Sequence, residues 1–428
     1  MLLDDYAGPY DTGFHLTRLS REALAVLARE WLLHGHLQDR VGIPLLFERG
    51  APREVSQEVA IDEWAAASPI YSKRMQNTLG FNGDTVDVIL KNIQLDIGAP
   101  PQYMDFQLRL VDEDHGEFSL GYCGALMDVE PMGEDWVRGM CHTIEDPTFD
   151  ATAAATNPRA RMSPIHRPPR MPADRMPHCQ WRIDVVPDAE PAQAHANTAI
   201  MRESLLAALP VSPIRKSAEP GGMADYSGPF APDLQLEDFS HGALVAILVE
   251  VALQSHLLFR GYLLSLAQRF GDDVAAAAGP RVLAGVAPVT AGRLRRALAI
   301  DGNGAEAIAK VLQLFPTFRP RSYVDARIEL VSPDRVRLAF GPSPIFDESD
   351  GFTWLAGLGG DGDRALDALV RGVNPSARCQ PCATEGDELF AYEAWVDPAA
   401  EPAQEEPETV LARFSGAASF EFKRVVRP

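Results

Sequence analysis

The chain has 428 residues, is 46% hydrophobic and 23% charged, and carries a formal net charge of −21. Such a length and composition suit a globular protein of two or three domains with a full apolar core. The acidity excludes a binder of nucleic-acid phosphates or of anionic membrane surfaces, which both need clustered Lys and Arg; the expected partner is a small molecule.

In chain order, the first ten residues, MLLDDYAGPY, hold no basic region and no apolar run, so no signal peptide is visible. The five cysteines (Cys123, Cys141, Cys179, Cys379, Cys382) are odd in number and widely spaced, unlike a secreted disulfide framework. A cytoplasmic location is expected. Asp5-Tyr-Ala-Gly-Pro-Tyr10 opens the chain with a Gly-Pro turn. Ser20 is a natural N-cap, and Leu24, Leu27, Trp31 and Leu32 follow at helical spacing. His36 lies one turn further on, where a satisfied core histidine is the commoner outcome. A second helix is expected within Asp84–Leu95. Tyr103–Val111 alternates as a strand, a turn follows, and Glu117–Cys123 reads as its partner. Met132–Glu145 reads as a helix, Asn157-Pro158 begins a loop, and Cys179–Val185 is a closing strand. The stretch 187–224, rich in Pro, Ala and Glu, reads as a linker with one amphipathic piece at Ile200–Leu209.

The pattern then recurs. Asp225-Tyr-Ser-Gly-Pro-Phe230 repeats the opening turn, and Ser240, Glu250, His256 and Arg260 match Ser20, Glu30, His36 and Arg40. Asn374-Pro-Ser-Ala-Arg378 matches Asn157-Pro-Arg-Ala-Arg161. Ala243–Leu266 is apolar but broken by Glu250, Gln254, His256 and Arg260, so it reads as a buried helix rather than a membrane span. A helix at Gly304–Leu314 and strands at Tyr323–Val331, Arg335–Phe340 and Phe390–Val396 complete the second set; Val410–Val426 looks strand-like. The expected fold is therefore α+β. It consists of two tandem copies (1–186 and 225–428) of a helical front end followed by a small antiparallel sheet with an inserted helix. The second copy would stand in for a homodimer partner.

Residues 123–179 hold the chemistry. Cys123 ends a strand, Cys141, His142 and Glu145 lie on one predicted helix, His166 sits in a proline-rich loop, and His178-Cys179 opens the last strand. Cys141 and Glu145 are four apart and share a helix face. Two chemistries fit. In one, Cys123, Cys141, His178 and Cys179 supply ligands to a zinc ion whose bound water is activated by Glu145. In the other, Cys141 is a nucleophile tuned by His142 and Glu145 and attacks an amide- or amidine-like carbon. The alternative to both is cysteines serving as buried small hydrophobes. Arg161, His166 and Arg167 would hold a substrate carboxylate, unless the arginines pair with the protein's own acids. The second copy lacks this set: Gly341-Pro-Ser-Pro344, the Leu-rich run Gly357–Asp367 and Tyr392-Glu393 stand at the corresponding places. Cys379-Gln-Pro-Cys382 is a lone pair without redox context.

The opening turn, with Cys123, Glu130, Cys141, Glu145, Asn157-Pro158, Pro168-Pro-Arg170 and Cys179-Gln-Trp181, resembles a group of bacterial proteins similar to aminothiazoline carboxylate hydrolase. The resemblance covers most of residues 5–185 and more faintly 225–397. It implies hydrolysis of a carbon–nitrogen bond in a small cyclic substrate, with Cys123, Cys141, Glu145 and Cys179 carried over. The chain departs from that pattern in its doubling and in having His166 and His178 where relatives more often have Cys. The alternative function is a non-catalytic small-ligand or sensor protein using the same pocket.

Overall fold

A computed structural model describes residues 2–217, 219–399 and 401–423. The first half runs α1 (Arg21–Glu48), α2 (Arg53–Leu79), α3 (Val86–Ile93), β1 (Met104–Leu110), β2 (His115–Cys123), α4 (Gly124–Val129) and α5 (Glu134–Arg138). It continues through a π-helical turn (Gly139–Ile144), α6 (Glu145–Ala154), β3 (Ala160–His166) and β4 (Cys179–Val185). Short helices α7 (Ala196–Arg202) and α8 (Leu205–Ala208) lead to α9 (His241–Phe270), α10 (Asp272–Ala297), α11 (Ala305–Leu314), β5 (Ala326–Ser332), β6 (Arg335–Phe340) and α12 (Pro344–Asp347). Then come α13 (Asp363–Arg371), β7 (Ala377–Pro381), β8 (Phe390–Val396), α14 (Pro407–Phe414) and α15 (Gly416–Ser419). The fold is α+β, with two four-stranded antiparallel sheets of the same order, β1-β2-β4-β3 and β5-β6-β8-β7.

Local signals explain most of these elements. The Ser20 and Ser240 side chains cap α1 and α9 by accepting from the backbone N–H of Ala23 and Ala243. β2 and β4 alternate, burying Phe118, Leu120, Trp181 and Ile183 against the helices. The Asn-Pro segments, expected as loops, lead directly into β3 and β7. Both are edge strands, and each carries a proline (Pro164, Pro381). Edge positions tolerate a residue that cannot donate to the ladder, which is why the strand signal was masked. The most apolar window of α9 is 89% buried within the structure.

The buried apolar side chains form one continuous core from Tyr6 to Ala417. Each half reaches into the other. The Tyr6 hydroxyl donates to Gln313 Oε1 (2.7 Å), and Lys310 Nζ donates to the Gly8 carbonyl (2.5 Å). Reciprocally, Tyr226 donates to Gln94 Oε1 (2.8 Å) and Lys91 to the Gly228 carbonyl (2.7 Å). Glu30 pairs with Arg293 (2.7 and 3.1 Å) and Glu250 with Arg74 (2.8 and 3.1 Å), all four side chains buried. His36 and His256 pack edge-on against Tyr103 and Tyr323, and burial lowers them to about 3 and about 4, so both are neutral core residues.

Two expectations need correction. The 187–224 segment is not a free linker. Met201 and Leu206 are buried, Thr198 Oγ1 donates to the Ala66 carbonyl (3.1 Å), and Leu206 N donates to Glu348 Oε1 (2.8 Å). A chain that buries apolar side chains and shares backbone groups with both halves is held by them. The region 410–426 is not a strand: Pro407 opens α14, Ser415 caps α15, and residues 424–426 lie outside the described residues. The carbonyls ending these short helices close the cross-half pairs, Leu209 accepting from Arg74 (2.6 Å) and Ala417 from Arg293 (2.9 Å).

Candidate active site

The predicted helix at Met132–Glu145 is broken rather than continuous. A 3-10 turn (Glu130–Met132) and Gly133 (φ 105°) precede α5, and the π-helical turn Gly139–Ile144 joins α5 to α6. Such turns insert a residue into a helix and occur often at functional sites. Gly139, which opens the turn, is buried and packs against the Gln57 side chain on α2. The turn carries Cys141 inward and leads into α6 at Glu145.

A second irregularity aims Cys123. Phe106 pairs with Leu120 and Met104 with Cys123, so β2 holds one residue more than β1 between those pairs. This bulge reverses the alternation and buries Cys123 together with Phe118 and Leu120. Cys179 stands opposite Leu120 on β4. Cys123, Cys141 and Cys179 are 3%, 2% and 4% exposed. They share one locale. Burial raises Cys123 to about 12 and pushes Cys141 and Cys179 well above the ordinary thiol range, and the charge of Glu145 raises all three further. Cys141 also responds to both other sulfurs.

Glu145 is the pivot. Burial raises its carboxyl to about 8, against the pull of the Arg167 guanidinium. Its Oε2 is buried without a hydrogen-bond partner. A carboxyl in that state is protonated near neutral pH and is poised to exchange protons with a neighbour. Arg167 pairs with Asp146 and lies over the Trp181 ring, 5.7 Å from its centroid.

The other expected site residues sit elsewhere. His142 is engaged by the chain itself, donating from Nε2 to the Pro168 carbonyl (2.7 Å). His178 is buried, and its Nδ1 accepts from the Cys123 backbone N–H (3.2 Å), so it buttresses the bulge. Arg161 is spent on the Pro158, Ala160 and Glu190 carbonyls (2.9, 2.7 and 2.7 Å), which leaves it no free fork for a substrate carboxylate. Arg170 is taken by Glu130 (2.9 and 2.6 Å). His166 is partly buried near the end of β3, opposite Gln180, and burial lowers its pKa. Among the described residues, no three His, Cys, Asp or Glu side chains are arranged to hold a metal ion. The expected zinc set of Cys123, Cys141, His178 and Cys179 does not fit: with Nδ1 of His178 accepting from the Cys123 N–H, the neutral ring carries its proton on Nε2 and offers a metal no lone pair, and no step is derived through a metal.

Backbone contacts locate the matching positions of the second half. His178 N donates to the Leu120 carbonyl as Leu389 N does to that of Phe340, so Cys179 matches Phe390, not Tyr392-Glu393. Asp150 accepts from Met162 N as Asp367 does from Cys379 N, which sets Leu358 against Cys141 and Gly362 against Glu145. The two sheets share one strand order, whereas the thiols and the carboxyl stand at these positions beside the first sheet alone.

Only Cys382, of the five thiols, is more than marginally exposed. A disulfide reagent should label it in the folded protein and label the other four only on unfolding. A second fast-reacting thiol would contradict the sealed site. The comparisons with known proteins are silent: no family model, curated protein or solved structure matches this chain.

Proposed function

We propose that the chain is a tandem duplicate whose first half hydrolyses a carbon–nitrogen bond of a small, cyclic substrate, as the resemblance to aminothiazoline carboxylate hydrolase implies. The second half takes the place of a dimer partner. The observation that carries this reading is the gathering of Cys123, Cys141 and Cys179 about Glu145, whose buried Oε2 has no partner, on a π-helical turn. The reciprocal Tyr6/Tyr226 and Glu30/Glu250 contacts support the duplication, since two-fold dimers make each contact twice.

In this reading Cys141 is the nucleophile. The Glu145 carboxylate takes the thiol proton as sulfur adds to the C=N or C(=O)–N carbon, the protonated carboxyl passes that proton to the nitrogen that leaves, and the C–N bond breaks as the carbon regains its double bond to the oxygen or nitrogen that stays. Water then adds to the same carbon, Glu145 accepts its proton, and the carbon–sulfur bond breaks, restoring the thiol. In a site this dry an isolated thiolate is costly, so proton exchange with Glu145 is what makes the thiol usable. Arg167 supplies the positive charge that favours both ionised forms.

The test is turnover of a panel of small cyclic amidines, thiazoline carboxylates and lactams, followed by NMR. Cys141→Ala should lower kcat/KM by about 10³-fold or more, and the wild type should show a transient mass adduct on the Cys141 peptide. Undiminished turnover in Cys141→Ala would sink the nucleophile. One observation favours a second reading, a non-catalytic ligand site: burial drives all three thiols away from the reactive thiolate form. That reading predicts no turnover on the whole panel.

A further inference from the structure

One turn along α6 from Glu145, the helix–sheet interface opens into a cavity of about 80 Å³ lined by Trp64, Asp96, Phe106, Phe118, Phe149 and Thr152, among others. Trp64, Phe106, Phe118 and Phe149 give it aromatic faces, and Asp96 is its ionisable group. Asp96 is 9% exposed; its Oδ1 accepts from Gly98 N (2.7 Å) and from the Tyr71 hydroxyl (3.3 Å), both neutral donors. Among the described residues no Lys or Arg pairs with it. Behind the cavity wall the Trp64 Nε1–H donates to Asp39 (3.0 Å). Near Asp39 lies the fully buried Glu63, whose Oε1 accepts from Gln38; Asp39 Oδ1 and Glu63 Oε2 are both buried without a hydrogen-bond partner. The nearest cation to this group, Arg40, is engaged by Asp128 at 2.7 Å. Asp96 thus faces a space that no Lys or Arg lines, with two further acids behind one wall, an arrangement that attracts a cation.

We propose that this cavity is a binding site for a small planar organic cation of the amidinium or guanidinium type, paired with the Asp96 carboxylate and packed against the aromatic walls. The volume suits four or five non-hydrogen atoms, and aromatic faces favour a delocalised cation over a neutral group. The second half again acts as a contrast. Phe259, Val282, Leu283 and Phe315 stand where Asp39, Glu63, Trp64 and Asp96 stand in the first, so apolar groups replace every acid of the set. The proposal goes beyond the hydrolase reading and does not need Cys141 to react.

The probe is acetamidinium, with its neutral isostere acetamide as control, titrated into the full-length protein by NMR at fixed ionic strength. The wild type should prefer acetamidinium by tenfold or more. Asp96→Asn should abolish that preference, and Thr152→Leu, which fills the cavity while leaving every acid in place, should abolish binding of both. Cys141→Ser should bind as the wild type does, so failure of the thiol chemistry would leave this result untouched. Affinity should fall as pH drops through about 6, where burial places Asp96; the groups facing it are Tyr71 and, across Trp64, the Asp39–Glu63 pair, all of which titrate in the same sense. Equal affinity for the two probes, no binding by the wild type, or binding that survives both Asp96→Asn and Thr152→Leu would overturn the proposal.

Discussion

Replacing Glu145 with Gln is expected to abolish turnover and, at the same time, to stabilise the protein above neutral pH. The carboxyl is raised from 4.5 to about 8, burial being the main cause. Between those values the unfolded chain has lost the proton that the folded protein still holds. The wild type therefore loses about 1.4 kcal/mol of stability per pH unit as pH rises from about 5 to about 8. Above about 8 the carboxyl is ionised in both states and the loss stops growing; below about 4.5 it is protonated in both and contributes nothing. Glutamine keeps the shape and carries no proton to lose. The gap between Glu145→Gln and wild type in urea unfolding should open through that window and then level off. A gap that is flat with pH would mean that Glu145 ionises normally, and the proton carrier of the proposed reaction would be gone. Turnover by the wild type should rise towards pH 8 as the carboxylate forms and vanish at every pH in the variant.

The second large effect is on the joint between the halves. Arg74→Ala should cost about 3–5 kcal/mol, the range for removing one partner of a buried ion pair. The loss has two parts. Glu250, 1% exposed, is left as an unpaired buried charge, and the Leu209 carbonyl loses its donor. Removing both charges, as Arg74→Met with Glu250→Leu, should recover most of the deficit, because the penalty comes from the abandoned carboxylate rather than from the lost attraction. Urea midpoints of the single and double variants decide it. A double variant as unstable as the single one would show that the carbonyl contacts carry the joint. The Arg293–Glu30 pair has the same construction and should respond alike.

Much of this protein is legible residue by residue. The N-caps Ser20 and Ser240, the alternation of β2 and β6, and the closing strands at Cys179 and Phe390 follow from short-range rules, because a cap or a pleat is decided within a few residues. Pro164 and Pro381 hid two strands, since an edge position is a property of the assembled sheet. Arg161 looked free to bind a carboxylate, yet the carbonyl of Glu190 that holds it comes from 29 residues away. Glu63, Trp64 and Asp96 were missed among ordinary helical sequence. A position-by-position comparison with Val282, Leu283 and Phe315 would have exposed them, as it exposed the cysteines.

Composition, periodicity and repetition are local quantities, and by themselves they determined the α+β class, the recurrence of the opening turn and the restriction of Cys141, Glu145 and Cys179 to the first half. Only the tertiary structure decided that the three sulfurs lie buried within electrostatic reach of Glu145. A bulge in β2 turns Cys123 inward, a π-helical turn does the same for Cys141, and strand pairing brings Cys179 alongside Leu120. Each depends on backbone register between segments distant in the chain, and register is set by what the far segment buries. The same holds for Glu145: its pKa comes from the water it has lost, and only the packed interior removes that water.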